Sequence, residues 1–132
     1  MWVRVGCTPL RRSIALADLA AEPFILLDVP PSEHYFRTVF DAVGLRMTPT
    51  YRATGFELAR SLVARGLGYS LAVQRPAVDR SYEGLGILTR PLKDVVPTTP
   101  VVMGWAGGGR LTRRAEAFLV HCRTVFAVPE NR

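Results

Sequence analysis

Two different periods govern the apolar positions of this chain, and the change from one to the other marks its elements. Trp2-Val3-Arg4-Val5-Gly6 is a short β-branched and aromatic run closed by Pro9, which predicts a strand. Leu16 to Ala21 has helical spacing and stops before Pro23, because the residue preceding a proline avoids the helical region. Phe24 to Val29 is continuously apolar apart from Asp28, the pattern of a strand buried on both faces of a parallel sheet, and Pro30-Pro31 ends it. Ser32 then stands as N-cap of a helix that gathers Tyr35, Phe36, Val39, Phe40 and Val43 on one face, with Gly44 as its C-cap.

Thr48 to Ala53 predicts the next strand. Thr54-Gly55-Phe56-Glu57 has the spacing of a capping box, in which hydroxyl and carboxylate satisfy each other's orphan amides. The helix it opens carries Leu58, Ala59, Leu62 and Val63, and Gly66-Leu67-Gly68 turns the chain into a strand over Tyr69 to Val73. Residues 24 to 73 thus read β-α-β-α-β with short connections. That order implies parallel pairing and right-handed crossovers, an α/β lobe with a doubly wound sheet. A looser stretch with Pro76 and Gly84 follows, then strand candidates at Gly86 to Arg90 and Val101 to Trp105. Gly107-Gly108-Gly109 is a flexible turn that lacks the surroundings of a phosphate loop. Leu111 to Phe126 predicts an amphipathic helix with Leu111, Ala115, Phe118, Leu119, Cys122 and Val125 on one side.

A length of 132 residues suits one domain, or one complete lobe with part of another. At 48% hydrophobic and 21% charged the chain can bury a core in water. Its apolar runs, such as Phe24-Ile25-Leu26-Leu27, are too short to span a bilayer, and no secretory signal opens it, so a cytoplasmic protein without membrane contact is expected. The net charge of +6 suggests nucleic acid at first sight. However, the cations are sixteen arginines and one lysine spread along the whole chain, with only Arg11-Arg12 and Arg113-Arg114 adjacent. A nucleic-acid surface clusters its charges in a stripe, so direct DNA binding by this chain is not expected. Cys7 and Cys122 have no C-x-x-C or Cys/His company, which predicts free thiols and no metal.

Catalysis needs a nucleophile beside a base, paired carboxylates or a metal cluster. His34 and His121 neighbour no nucleophile motif, and Ser32, two residues from His34, lacks an elbow pattern. The acids Asp28, Asp41, Asp79 and Asp94 are scattered. The reading is therefore no enzyme, no catalytic residue and no cofactor. What stands out is two helix N-termini directly after two strands. Ligands of open α/β sheets collect at the carboxyl ends of the strands, where such amides point outward. Ser32 and Thr54-Gly55 stand at those places, although plain helix capping would explain them as well.

The order of motifs resembles the effector-binding domain of LysR-type transcription regulators. Ser13-Ile14-Ala15-Leu16-Ala17-Asp18-Leu19 with Pro23-Phe24-Ile25, then Ala42-Val43-Gly44-Leu45 with Pro49, resemble two of its segments. So do Val63-Ala64-Arg65-Gly66-Leu67-Gly68, Pro91-Leu92-Lys93-Asp94 and Arg114-Ala115-Glu116-Ala117-Phe118. The set covers nearly the whole chain in order. The resemblance implies a periplasmic-binding-protein-like lobe plus part of a second lobe. Residues 1–12 would be a crossover strand and connector, and residues 13–85 the second lobe, regulatory subdomain II. Residues 86–132 would be the other crossover strand and the returning part of the first lobe, regulatory subdomain I. It further implies a small-molecule effector, polar or anionic, held between two lobes near Ser32, Thr54, Gly55 and Val73. A homo-oligomer is implied, with DNA reached only through a winged helix-turn-helix that has no counterpart in this sequence. A solute-binding protein of similar fold and a small α/β enzyme are the alternatives.

Overall fold

The computed structural model describes residues 2–3, 12–73, 77–99, 102–106 and 108–126. Among these, β1 (Trp2–Val3), β2 (Phe24–Leu27), β3 (Pro49–Ala53), β4 (Tyr69–Ser70) and β5 (Leu88–Thr89) form one sheet in the order β3-β2-β4-β1-β5. β2 is parallel to both of its neighbours, with Leu26 opposite Arg52 and Phe24 opposite Tyr69. β1 runs antiparallel to β4 and to β5. Helices α1 (Ser32–Ala42) and α2 (Phe56–Ala64) make the two crossovers of β2-α1-β3-α2-β4, the doubly wound lobe expected from the alternation of periods. Clustering of contacts divides the chain into two units, Met1–Thr99 and Pro100–Arg132.

The alternation of side chains along β2 decides the layers of the first unit. Phe24 and Leu26 turn to one face, where they join Phe36, Val39 and Phe40 of α1. Ile25 turns to the other, against Ala59, Val63 and Ala64 of α2. Ile25 and Leu26 are both fully buried, and each contributes about 1.5–3 kcal/mol of burial. This two-sided burial is why β2 had to be apolar without alternation. On the α1 face the rings of Phe24, Phe40 and Tyr69 pack at centroid distances of 5.1 and 5.3 Å.

Both helices close the same way. After α1 the amide of Gly44 donates to Asp41 at 3.0 Å and that of Leu45 to Phe40 at 3.0 Å. After α2, Gly66 donates to Val63 at 2.9 Å and Leu67 to Leu62 at 3.1 Å. These are Schellman closures, with Gly44 and Gly66 at positive φ.

The helix starts differ from the expectation. Ser32 is the first residue of α1 and not its cap: Pro31 holds the cap position without a side-chain bond. The Ser32 amide donates instead to Val29 at 2.7 Å, in the turn that follows β2. The capping box of α2 is not made either, since Gly55 is the N-cap and no side chain caps it. Glu57 pairs with Arg60 at 3.0 Å and accepts the Tyr82 amide at 3.3 Å. A full positive charge one turn away outbids a neutral amide for a carboxylate. The turn at Leu16–Leu19 is 3-10, and the distant Asp94 carboxylate accepts the Leu16 amide at 2.7 Å. Expected strands at Thr48–Ala53, Tyr69–Val73 and Gly86–Arg90 are present but shorter, while residues 4–6 of the first strand lie outside the described residues.

In the second unit α3 (Arg113–Val125) forms as expected, one residue after Thr112, whose hydroxyl accepts the Ala115 amide at 3.3 Å. Leu111, Ala115, Leu119 and Cys122 make a half-buried stripe at helical spacing, and no residue of α3 is fully buried. The strand expected at Val101–Trp105 is not formed over its described residues, 102–105. A strand exists only by pairing, and no described strand pairs with this segment.

Candidate functional site

At the carboxyl edge of the sheet the exits of β2 and β4 part. β2 feeds α1, which leads to β3 on one side, whereas β4 lies on the other side of β2 and is reached through α2. Such a reversal leaves a crevice between neighbouring strand ends, where open α/β sheets hold their ligands. At the carboxyl ends of β4 and β5, with α1 as one wall, lies a groove of about 510 Å³, within the range of roughly 300–1,000 Å³ usual for small-molecule sites.

One wall of the groove is α1, with Tyr35, Phe36 and Val39. The exit of β4 supplies Leu71 and Val73. β5 shares the direction of β4, because both oppose β1, so Thr89, Arg90 and Leu92 leave at the same edge and form the opposite wall. Residues 96–99 complete the lining. That last segment is fastened: the Tyr35 hydroxyl donates to the Pro97 carbonyl at 2.8 Å. Just before it, the Lys93 amide donates to Ile14 at 2.9 Å and Asp94 accepts from Leu16. The wall is therefore tied at both ends before any ligand arrives.

The lining is chemically plain. Phe36, Val39 and Leu71 are buried core residues that show one flank to the groove, and Leu92 and Val96 are half-buried. Among the described residues Arg90 carries the lining's one charge, and its guanidinium donates to the Thr89 carbonyl at 3.0 Å. No carboxylate, imidazole or thiol lines the groove. It can bind, but it offers no nucleophile with a base.

A second feature lies at the exits of β2 and β3. Arg52 of β3 reaches Asp28 at 3.1 Å and Glu33 at 2.9 Å, and Glu33 also pairs with Arg37 at 3.0 Å. The Arg52 hydrogen bond holds the Glu33 carboxyl below its ordinary range, and the two acids in turn hold the Arg52 guanidinium above its own. All four side chains are at least a third exposed, so solvent screens the pairs and they add little to stability. The network matters for position more than for energy: it places two carboxylates at the start of α1, beside Ser32.

Of the four residues expected to touch a ligand, Val73 lines the groove and is exposed. Ser32 is half-buried at the start of α1, Thr54 is exposed after β3, and Gly55 caps α2 on the opposite face of the sheet. These three are not part of the groove lining. Sequence reasoning passed over Tyr35, Arg90 and Arg52. Tyr35 was visible only as one apolar position of a helix face, because its partner lies 62 residues away. Arg52 was one arginine among sixteen until parallel pairing set it beside Asp28. Arg60 was missed as well: it is buried in α2 and donates to the carbonyls of Val78, at 2.7 Å, and Arg80.

Among the described residues no three His, Cys, Asp or Glu side chains group as metal ligands, and no helix is long and apolar enough to cross a membrane. The family model for the LysR substrate binding domain matches residues 6–127. HinK, a LysR family transcriptional regulator from Pseudomonas aeruginosa, has a similar structure at 32% identity and a TM-score of 0.86, over 94% of this chain and 43% of its own. The PA01 protein of Pseudomonas aeruginosa, assigned to the same family, is 32% identical with a TM-score of 0.77, over 90% of this chain and 42% of its own. The C-terminal domain of a Rhodococcus sp. RHA1 protein assigned to that family is 35% identical with a TM-score of 0.71, over 92% of this chain and 61% of its own. The chain thus spans less than half the length of the two Pseudomonas proteins. No curated protein matches. With the family's domain model matching residues 6–127 of this chain and the fold shared with these regulators, the chain belongs to the LysR substrate-binding domain family.

Proposed function

We propose that this chain is the effector-sensing part of a cytoplasmic LysR-type transcription regulator, and that it takes a small polar or anionic molecule between two lobes. The observation that carries the reading is the groove at the carboxyl ends of β4 and β5, in a chain of this family. In this reading the lobe supplies the carboxyl-edge wall, with Val73 in the groove, while Ser32, Thr54 and Gly55 stand outside its lining at the exits of β2 and β3. A ligand that binds one relative orientation of the lobes better than another shifts the population toward it. In an oligomeric regulator that shift would respace DNA-binding parts and so alter transcription.

Thr54 makes a clean test, because its side chain makes no capping bond to α2 whose loss would confuse the result. A screen of small carboxylates, sulfates and phosphates by thermal melting should find one that raises the melting temperature saturably. Ligand at a hundred times its Kd adds about 2.7 kcal/mol to stability, which a melting curve resolves readily. Thr54→Asp should then weaken that ligand while leaving the unliganded protein as stable as before. A library without a single saturable stabiliser would sink the sensing reading. Unchanged affinity in Thr54→Asp would remove Thr54 from the site.

A further inference from the structure

We propose that Arg60 of α2, on the face of the sheet opposite α1, is a positioning residue for the groove. It holds residues 78–87 against α2, and through Asp79 these residues hold Thr89 in the groove wall. What this does for a ligand rests on the sensing reading above, whereas the placement of the wall is testable without any ligand. The relay starts inside α2. Arginine is almost never fully buried unless paired, yet Arg60 is buried. Its guanidinium donates to the carbonyls of Val78, at 2.7 Å, and of Arg80, the two residues that flank Asp79. Burial of a charge is costly unless hydrogen bonds compensate it, and these carbonyls with Glu57 do so, which commits the side chain to one geometry. Two outer ties join it: Glu57 accepts the Tyr82 amide at 3.3 Å, and Arg65 pairs with Glu83. The Arg65 pair is exposed and screened by solvent, so the buried arginine is the firm attachment.

The anchored segment is a tight hairpin. Arg80 and Gly86 face each other in an antiparallel bridge. The Ser81 amide donates to Leu85 at 2.8 Å and the Gly84 amide to Ser81 at 2.8 Å. Asp79 then passes the position of the hairpin to β5 by two links. Its carbonyl accepts the Ile87 amide at 3.0 Å, and its carboxylate accepts the Thr89 hydroxyl at 3.5 Å. Ile87 is itself buried in one cluster with Ala59 and Val63 of α2, so β5 leaves the hairpin already seated. Thr89 and Arg90 follow directly and line the groove, whereas Arg60 does not. A residue on the far side of the sheet thereby sets where this wall stands.

Backbone amide shifts of the whole folded chain, free of ligand, separate position from stability. Arg60→Met keeps the length of the side chain and removes its donors. Met47→Ala, in the core of the α1 face and outside the groove lining, is the control for lost stability alone. Arg60→Met should move the native signals of Thr89 and Arg90 together with that of Tyr82, and Met47→Ala should leave all three still. Asp79→Ala cuts the carboxylate link beyond the hairpin, so it should move Thr89 and Arg90 but not Tyr82, which α2 still holds. Where Arg60→Met does not fold, Arg60→Lys takes its place: a single ammonium cannot fork across two carbonyls, so the same signals should move by less. Thr89 and Arg90 signals that stay still in the Arg60 variant, or move as far in Met47→Ala, overturn the proposal. Stillness of Thr89 in Asp79→Ala overturns it too, because the stated route runs through that carboxylate. The expected shifts together with a melting screen that finds no ligand would keep the relay and remove the sensing reading.

Discussion

Gly68 is the residue at which the smallest chemical change should do the most damage. It precedes β4 with φ +147°, a region that L side chains rarely adopt. A Cβ built there would lie 2.1 Å from the Pro23 carbonyl oxygen and 2.9 Å from its carbon. Both are backbone atoms, and that oxygen accepts the Tyr69 amide at 3.0 Å, beside the Phe24–Tyr69 register. Nothing flexible can give way, so Gly68→Ala must push β2 and β4 apart where the sheet joins its two halves. Backbone displacement of this kind costs about 1–3 kcal/mol, and the backbone conformation itself about 1–3 kcal/mol more. The sum, roughly 2–6 kcal/mol, is a large part of the ~5–15 kcal/mol that holds a domain folded. Gly44 supplies the internal control: it has φ +71° but open space around its Cβ position, so Gly44→Ala costs only about 1–2 kcal/mol. Urea unfolding compares the two directly. With a slope near 2 kcal/mol per molar, Gly68→Ala should lower the midpoint by about 1–3 M and Gly44→Ala by about 0.5–1 M. Equal shifts would refute the argument that the Pro23 contact, and not the φ angle alone, requires glycine.

Three further outcomes follow from the geometry. Arg60→Met strips the carbonyls of Val78 and Arg80 of a buried donor, so a loss of about 2–4 kcal/mol is expected. Amide exchange at Ile87, bonded to Asp79 at 3.0 Å, should quicken, and an unchanged rate would show that Arg60 does not hold this loop. Burial pushes the Tyr69 hydroxyl up to about 12 from 10.0. A group raised in the folded state contributes stability that is complete below pH 10.0 and lost as pH climbs through about 12, so Tyr69→Phe should flatten the alkaline fall of the urea midpoint. If the wild type shows no such fall, Tyr69 does not titrate with unfolding. Finally, Phe118 (61%), Val125 (55%) and Phe126 (75%) are exposed on or just after α3, so the chain should self-associate and Phe118→Ser should shift it toward monomer in light scattering. A wild type that stays monomeric at high concentration contradicts this.

Local pattern determined the elements of the first unit. The apolar run at Phe24, the helical stripe through Phe36, Val39 and Phe40, and the glycines at 44, 66 and 68 each state a secondary structure through a few neighbouring residues. Their β-α-β-α-β order then leaves parallel winding as the ordinary solution, and with the ordered motifs it was enough to point to the family. Where the reading went astray, the spacing named a partner that the fold replaced or did not supply. Glu57 suited a capping box by spacing but met Arg60 and the Tyr82 amide. Val101 to Trp105 had strand composition, yet composition cannot provide the neighbour that a strand must pair with.

The candidate site was legible only in outline. That ligands gather at the carboxyl edge follows from the order of strands and helices, and the resemblance to the family added Val73 there. Which side chains share a wall could not be read, because the groove joins α1 to residues some thirty to sixty positions later. The Tyr35–Pro97 bond, the Arg52 network and the place of Arg90 in the groove lining are products of strand register and of two layers packed on one sheet. Local propensity is a property of a few adjacent residues, whereas a binding wall is set by which distant residues are brought side by side. The sequence by itself therefore determined the elements and their winding, and only the tertiary structure decided the site.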